Sequence, residues 1–277
     1  MNSTVFGLSF VLAVVLLAYS VFYAGNDVYW VFAVAAIGFF LGFLDTSMGM
    51  GYGTVGTPVL LLLGFSPKVV VPSILISQFV AASIGAVKHH RFRNMDLTDT
   101  KGNDFKLAVL FLAAGIAGAV VGVYAGVKLP KLYVTTYIGL LVMVMGILAI
   151  VKFRFRFSFL KAGILSLISS FNKTISGGGY GPVLTMGQII SGNGIRNSVG
   201  ITIFTVAVIN LVGFFLYNYI GGALALMVPL SLSVGAMLGA QIGPGFTRNM
   251  KTGRNLTLFG IITLLLGAFT IAAFFMK

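Results

Sequence analysis

Two ionisable residues sit in glycine-rich breaks between apolar runs. Asp45 opens Asp45-Thr46-Ser47-Met48-Gly49-Met50-Gly51-Tyr52-Gly53, and Lys173 opens Lys173-Thr174-Ile175-Ser176-Gly177-Gly178-Gly179-Tyr180-Gly181. A charged side chain at the centre of a membrane costs about 2.5 to 3.5 kcal/mol on insertion scales, so each must face the interior or find a partner. Two chemistries fit the pair. Asp45 and Lys173 can lock the two segments together as a structural ion pair. Alternatively Lys173, with the Thr174 and Ser176 hydroxyls, binds an anion while Asp45 balances charge or carries a coupling proton. Glycine permits positive φ and close backbone approach, so the amides at Gly51, Tyr52, Gly53, Gly178, Gly179, Tyr180 and Gly181 can turn toward a small solute. Pro182 suits the first turn of a helix, whose N-terminal amides would favour an anion at the same place.

Thr46 and Asn172 complete the candidate binding set, since they flank the two charges. Ser47, Thr57, Ser169, Ser170 and Thr185 lie on or beside the tips, where small hydroxyl residues also serve as helix-packing contacts. Gln78, Ser77, Thr205 and Asn210 fall on the segment after each break. They can reach a central cavity or simply bond between helices.

The rest of the composition excludes most other chemistry. The chain of 277 residues has no Cys, its five acidic residues are all Asp, and its two His are the adjacent His89 and His90. No metal-binding spacing and no convergent set of His, Ser and carboxylate is present, so neither an enzyme nor a resident metal or cofactor is expected. A net charge of +13 comes from basic residues in short clusters between apolar runs rather than along one stripe, which speaks for membrane topology and against nucleic acid. With 58% hydrophobic and 8% charged residues there is too little polar surface to face water. Lipid is the expected surroundings.

A spanning helix needs about 20 apolar residues. Runs at 5–23, 69–87, 106–127, 132–151, 198–217, 222–246 and 255–276 give seven crossings. Four shorter pieces, 29–44, 55–63, 159–171 and 182–190, fall into two pairs around the glycine-rich breaks and are expected as half-helices of two re-entrant hairpins. Sliding the chain by 128 positions aligns Phe43–Gly85 with Phe171–Gly213 without a gap, with 12 of 43 pairs identical, which points to a duplication. Gly118, Gly122 and Gly126 echo Gly235, Gly239 and Gly243 at a spacing of 117. Residues 1–28 then form an extra N-terminal helix, 29–151 a first repeat and 152–277 a second.

Basic residues are retained on the cytoplasmic side. If each hairpin returns to the face it entered, the loops 88–106, 152–161, 191–197 and 247–254 share one side and hold 13 of the 18 basic residues. That places the N-terminus inside and the C-terminus outside, with the first hairpin opening outward and the second inward. The expected fold is therefore an all-α polytopic membrane protein with inverted structural repeats, a recurrent plan of secondary transporters.

The Asp45-Thr46-x-x-Gly49-x-Gly51-Tyr52-Gly53 stretch, Thr57-Pro58, Gly64-Phe65-Ser66-Pro67 and Ser176-Gly177-Gly178-Gly179-Tyr180-Gly181-Pro182 together resemble the sulfite exporter TauE/SafE (TSUP) family. The resemblance covers most of the chain after residue 29. It implies an inner-membrane transporter that exports or exchanges a small anion such as sulfite or an organosulfonate by alternating access. The implied partners are that anion, possible coupling protons or ions, and membrane lipid, with the oligomeric state left open. A passive anion channel and a membrane-embedded sulfur-handling component are the alternatives.

Overall fold

A computed structural model describes residues 28–151, 158–190, 193–222 and 226–247, together with positions 261, 264, 265, 268, 271 and 272. The described residues form helices and short connections, with no strand. In chain order the helices are α1 (Val28–Met48), α2 (Tyr52–Leu62), α3 (Pro67–Arg91), α4 (Asn103–Lys128), α5 (Lys131–Val151), α6 (Phe159–Ser176), α7 (Tyr180–Ile190), α8 (Ile195–Gly221), α9 (Met227–Ala240) and α10 (Gly243–Thr247).

Five described segments are long and apolar enough to cross a membrane: Val28–Met48, Pro67–Arg91, Asn103–Lys128, Ile195–Gly221 and Met227–Thr247. Three of them contain the runs expected at 69–87, 106–127 and 198–217, and Met227–Thr247 carries the run expected at 222–246 from residue 227 onward. The run at 132–151 forms α5, the run at 5–23 lies outside the described residues, and that at 255–276 lies largely outside them. The fifth segment differs from expectation. The piece at 29–44 is longer than the half-helix expected: it is the body of the 21-residue α1, which continues through Asp45. Thr46 and Ser47 return their hydroxyls to the Gly42 and Leu44 carbonyls, so the polar run stays helical instead of breaking. In the same way α6 extends the 159–171 piece to Ser176.

The helices are apolar on their outer faces as well as their inner ones. On α4, Gly115, Gly118, Gly122 and Gly126 face the protein, while Val109, Ile116, Val120, Val121 and Tyr124 are exposed. A helix apolar all round suits a hydrocarbon solvent. Packing crosses the midpoint of the chain: α4 lies along α6, α9 along α1, and α3 against α8.

Small residues set these contacts. A Cβ on Gly118 would fall 2.1 Å from the Leu167 carbonyl oxygen, and one on Gly239 would fall 2.1 Å from that of Phe39. Gly122 meets Phe171 and Thr174 as Gly243 meets Phe43 and Thr46. Since Leu167, Phe171 and Thr174 lie 128 positions after Phe39, Phe43 and Thr46, the contacts pair Gly118 with Gly239 and Gly122 with Gly243. The expected spacing of 117 is thus one helical turn short of the spacing at which these glycines do equivalent work.

Candidate functional site

The two breaks are built alike. Gly49 and Gly177 adopt left-handed φ of 70° and 76°, and their amides bond back to the carbonyls of Asp45 at 2.7 Å and Lys173 at 2.8 Å. This is the left-handed glycine cap that closes a helix C-terminus, and it stations each ionisable residue in the last turn. Gly51 and Gly179, with φ of 114° and 83°, then turn the chain into α2 and α7. Met50 stands where the second break has Gly178, and its φ lies outside the left-handed region.

Asp45 and Lys173 are 2% and 1% exposed. Gln78, from the middle of α3, stands between them. Its Nε2 donates to Asp45 Oδ2 at 2.7 Å, while its Oε1 accepts from Lys173 Nζ. A carboxamide has the donor and acceptor needed to satisfy an anion at one end and a cation at the other. The Tyr52 amide at the start of α2 also bonds the Asp45 carboxyl, and Lys173 Nζ donates to the Gly177 carbonyl. A cation in the last turn of a helix complements its dipole, whereas an anion there opposes it. Lys173 is therefore favoured by its own helix, and Asp45 depends on the donors that α2 and α3 bring.

The tips cross at van der Waals limits. A Cβ on Gly53 would lie 1.4 Å from the Gly177 carbonyl oxygen, and one on Gly181 would lie 2.1 Å from the Gly49 carbonyl oxygen. These are the same contact with the two breaks exchanged, the reciprocity that a two-fold relation produces. Other contacts repeat the exchange at the same 128-residue offset. Tyr180 donates to Thr205 at 3.0 Å, and Tyr52 lies beside Ser77. Thr185 donates to the Gly49 carbonyl at 2.9 Å, and Thr57 stands in the same place against Gly177.

The expected site residues divide into three groups. Asp45 and Lys173 meet through Gln78. Gly51, Tyr52, Gly53, Gly178, Gly179, Tyr180 and Gly181 form the crossing, but the protein itself engages two of the tip amides expected to face a solute: Gly178 N–H donates to Ser176 Oγ at 3.1 Å and Gly179 N–H to Thr54 Oγ1 at 3.3 Å. The remaining polar residues turn away from the charges. Thr46 bonds within α1, Thr174 donates to the Ala119 and Ser170 carbonyls, Ser176 organises its own tip, and Asn172 accepts from Tyr137 on α5.

His89 was not among the expected site residues, because it reads as one of a basic cluster in a loop. It is instead fully buried on α3, with Nε2 at 2.8 Å from the Thr46 carbonyl and Nδ1 at 2.9 Å from Asn94 Nδ2. Tyr217, 128 positions later, donates to the Thr174 carbonyl at 2.8 Å. Extending the self-alignment four residues past Gly85 is the signal that finds this pair. Near His89 opens a cavity of about 960 Å³, lined by Arg91, Arg93 and Arg196 against Asp96 and Asp104, so that its balance of charge is basic by one, with Asn94 and Thr247 beside them. Its residues come from three of the four loops assigned to one side by charge.

Among known proteins, the family model for the sulfite exporter TauE/SafE matches residues 34–270. The probable membrane transporter protein YtnM of Bacillus subtilis (strain 168) is 30% identical over 162 residues, which are 54% of this chain and 51% of that protein. The chain thus spans about half the length of this curated relative. No solved structure matches.

Proposed function

This chain belongs to the sulfite exporter TauE/SafE family, a family of membrane transporters and not of enzymes, and we propose that it is a secondary transporter exporting a small anion such as sulfite or an organosulfonate. In this reading residues 29–151 and 152–277 are inverted repeats. Among seven spanning segments, two re-entrant hairpins, the first with the 21-residue α1 as its longer arm, bring the glycine tips together near the bilayer midplane. The N-terminus is cytoplasmic, the C-terminus outside, and the protein resides in the inner membrane.

The observation that carries the proposal is the buried Asp45–Gln78–Lys173 bridge at the crossing of the two breaks. A purely structural pair needs no amide between its charges. An ammonium held by a neutral oxygen and a backbone carbonyl can exchange those acceptors for an anion's oxygens without first dissociating from a carboxylate. The empty site is neutral with Asp45 ionised, so a bound monoanion leaves it neutral only if Asp45 takes up a proton, which is the coupling step in this reading. The reciprocal Gly53–Gly177 and Gly181–Gly49 contacts support alternating access, because surfaces without side chains can shift against each other with little repacking.

The test is flux in proteoliposomes. Labelled sulfite, taurine and sulfoacetate are offered with and without an imposed proton gradient. At least one should accumulate against its own gradient, and Lys173→Gln should abolish that accumulation while leaving a folded protein. Equilibration without accumulation would mean a channel, and absence of flux for all three would remove the assigned substrate class.

A further inference from the structure

The two repeats differ most in how they seal the seam behind each tip. In the first, the α2–α3 seam is closed by Leu60, Val70 and Ile74, all fully buried in one apolar cluster. At the positions 128 residues later, the α7–α8 seam carries Gln188, Ser198 and Thr202, 2%, 0% and 1% exposed. Ser198, Thr202 and Thr205 recur at i, i+4 and i+7, which places them on one face of α8. Gln188 Nε2 donates to Thr202 Oγ1 at 3.0 Å, and the Tyr180 hydroxyl donates to Thr205. A ladder of neutral hydrogen-bonding groups therefore runs from the first turn of α8 to the second glycine tip. At its outer end the adjoining residues Ile195, Arg196 and Asn197 line the basic cavity.

Bonding between helices accounts for only part of this ladder, since Gln188 Nε2 also reaches the Ser198 carbonyl at 3.5 Å. Gln188 Oε1 and the Ser198 hydroxyl are buried with no partner among the described residues. Native interiors rarely leave such atoms unpaired, and where they do, water or a ligand is the usual explanation. The apolar alternative is also available to the fold, since the other repeat uses it at all three positions.

We propose that the α7–α8 seam is the route by which a hydrated oxyanion passes between the basic cavity and the buried tip, with Ser198, Gln188 and Thr202 as its hydrogen-bonding relay. The inference rests on the anion-carrier reading above and adds the path. Uncharged groups suit it, because they replace hydration along the way without holding the ion. The α2–α3 seam keeps Thr57 and Ser77 near its tip but has apolar side chains at the three relay positions, so its outer part opens only by parting apolar surfaces and the two half-pathways are unequal.

The test exchanges the seams. The triple variant Gln188→Leu, Ser198→Val, Thr202→Ile places at each position the residue that the first repeat uses there. Its thermal unfolding temperature should be no lower than that of the unaltered protein, because unpaired polar atoms have been removed. Its oxyanion flux should fall by about tenfold or more, the order of loss when a site's hydrogen-bonding groups are removed. A well-folded triple variant with undiminished flux overturns the proposal. Because the chain has no Cys, a second measurement is direct. Ser198→Cys and Thr202→Cys should be modified by the anionic reagent sulfonatoethyl methanethiosulfonate applied to the face bearing the basic cavity. Val70→Cys and Ile74→Cys should resist it on both faces. Equal labelling of the two seams overturns the route even if the triple variant fails to fold. Absence of flux in the unaltered protein would sink the carrier reading alone, since labelling reports the wet seam independently.

Discussion

At the scale of the residue, the central question is how a carboxylate survives at the C-terminal end of an apolar helix. The carbonyls of the last turn of α1 repel it, and burial removes its water. Gln78 Nε2 at 2.7 Å is its one bond from a side chain among the described residues. Gln78→Leu should therefore strand both charges and lower the stability of the protein by about 2 to 4 kcal/mol, read as a fall in thermal unfolding temperature in detergent. Adding Asp45→Asn and Lys173→Gln should recover much of that loss, because neutral groups are easier to leave unpaired than charged ones. If Gln78→Leu unfolds at the temperature of the unaltered protein, the bridge is not what holds the charges. Asp45 and Lys173 were legible in the sequence because a lone charge in an apolar run always asks for a partner. The partner was less legible: a Gln on an apolar helix points to no particular neighbour, and only the packing of α3 between the two breaks selects Gln78. His89 was hidden by its setting among Lys88, His90, Arg91 and Arg93, where a buried ring and an exposed cluster have the same composition.

At the scale of the element, the two breaks work because glycine lets backbones touch. Gly53→Ala would set a methyl group 1.4 Å from a carbonyl oxygen that is itself fixed by the cap of α6. The tips would have to separate, at a cost of about 3 kcal/mol or more. Gly194→Ala, just before α8, meets nothing within 4 Å and should change stability by no more than about 0.5 kcal/mol. Unfolding curves and folded yield for the two variants check this contrast, and equal behaviour would count against a close crossing. Glycine spacing marked where the helices stop, since the left-handed cap has a local signature. How far α1 runs was not marked, because hydropathy drops at Asp45 while the hydroxyls of Thr46 and Ser47 keep the helix intact. The register between α4 and α9 was missed for a related reason. Glycines every four residues match themselves equally well one turn away, and only the neighbouring helix distinguishes a spacing of 121 from one of 117.

At the scale of the whole molecule, the 128-residue offset becomes an exchange of contacts between the halves, Gly53 with Gly177 and Gly181 with Gly49, and a repetition within each, Thr46 with His89 and Thr174 with Tyr217. Self-similarity in a sequence reports duplication but not direction, so relative orientation had to come from charge, and charge speaks only through loops. Three of those loops now converge on one basic cavity, which agrees with their sharing a face. The inverted reading makes a sharper demand, that the open ends of the two breaks lie on opposite faces. In that reading the first ends near Ser66 and the second near Gly194, and Leu129 and Asp99 belong to the connections expected on the same respective faces. In the cysteine-free chain, single substitutions Ser66→Cys and Leu129→Cys should react with a membrane-impermeant maleimide from outside. Asp99→Cys and Gly194→Cys should react only in inverted vesicles. The retention of Lys and Arg on the cytoplasmic side predicts this sign, because 13 basic residues lie in the loops assigned inward. Labelling of Ser66→Cys and Gly194→Cys from one face would make the repeats parallel. Asp45 and Lys173 could still meet, but rocking one half against the other would no longer expose their site to each side in turn.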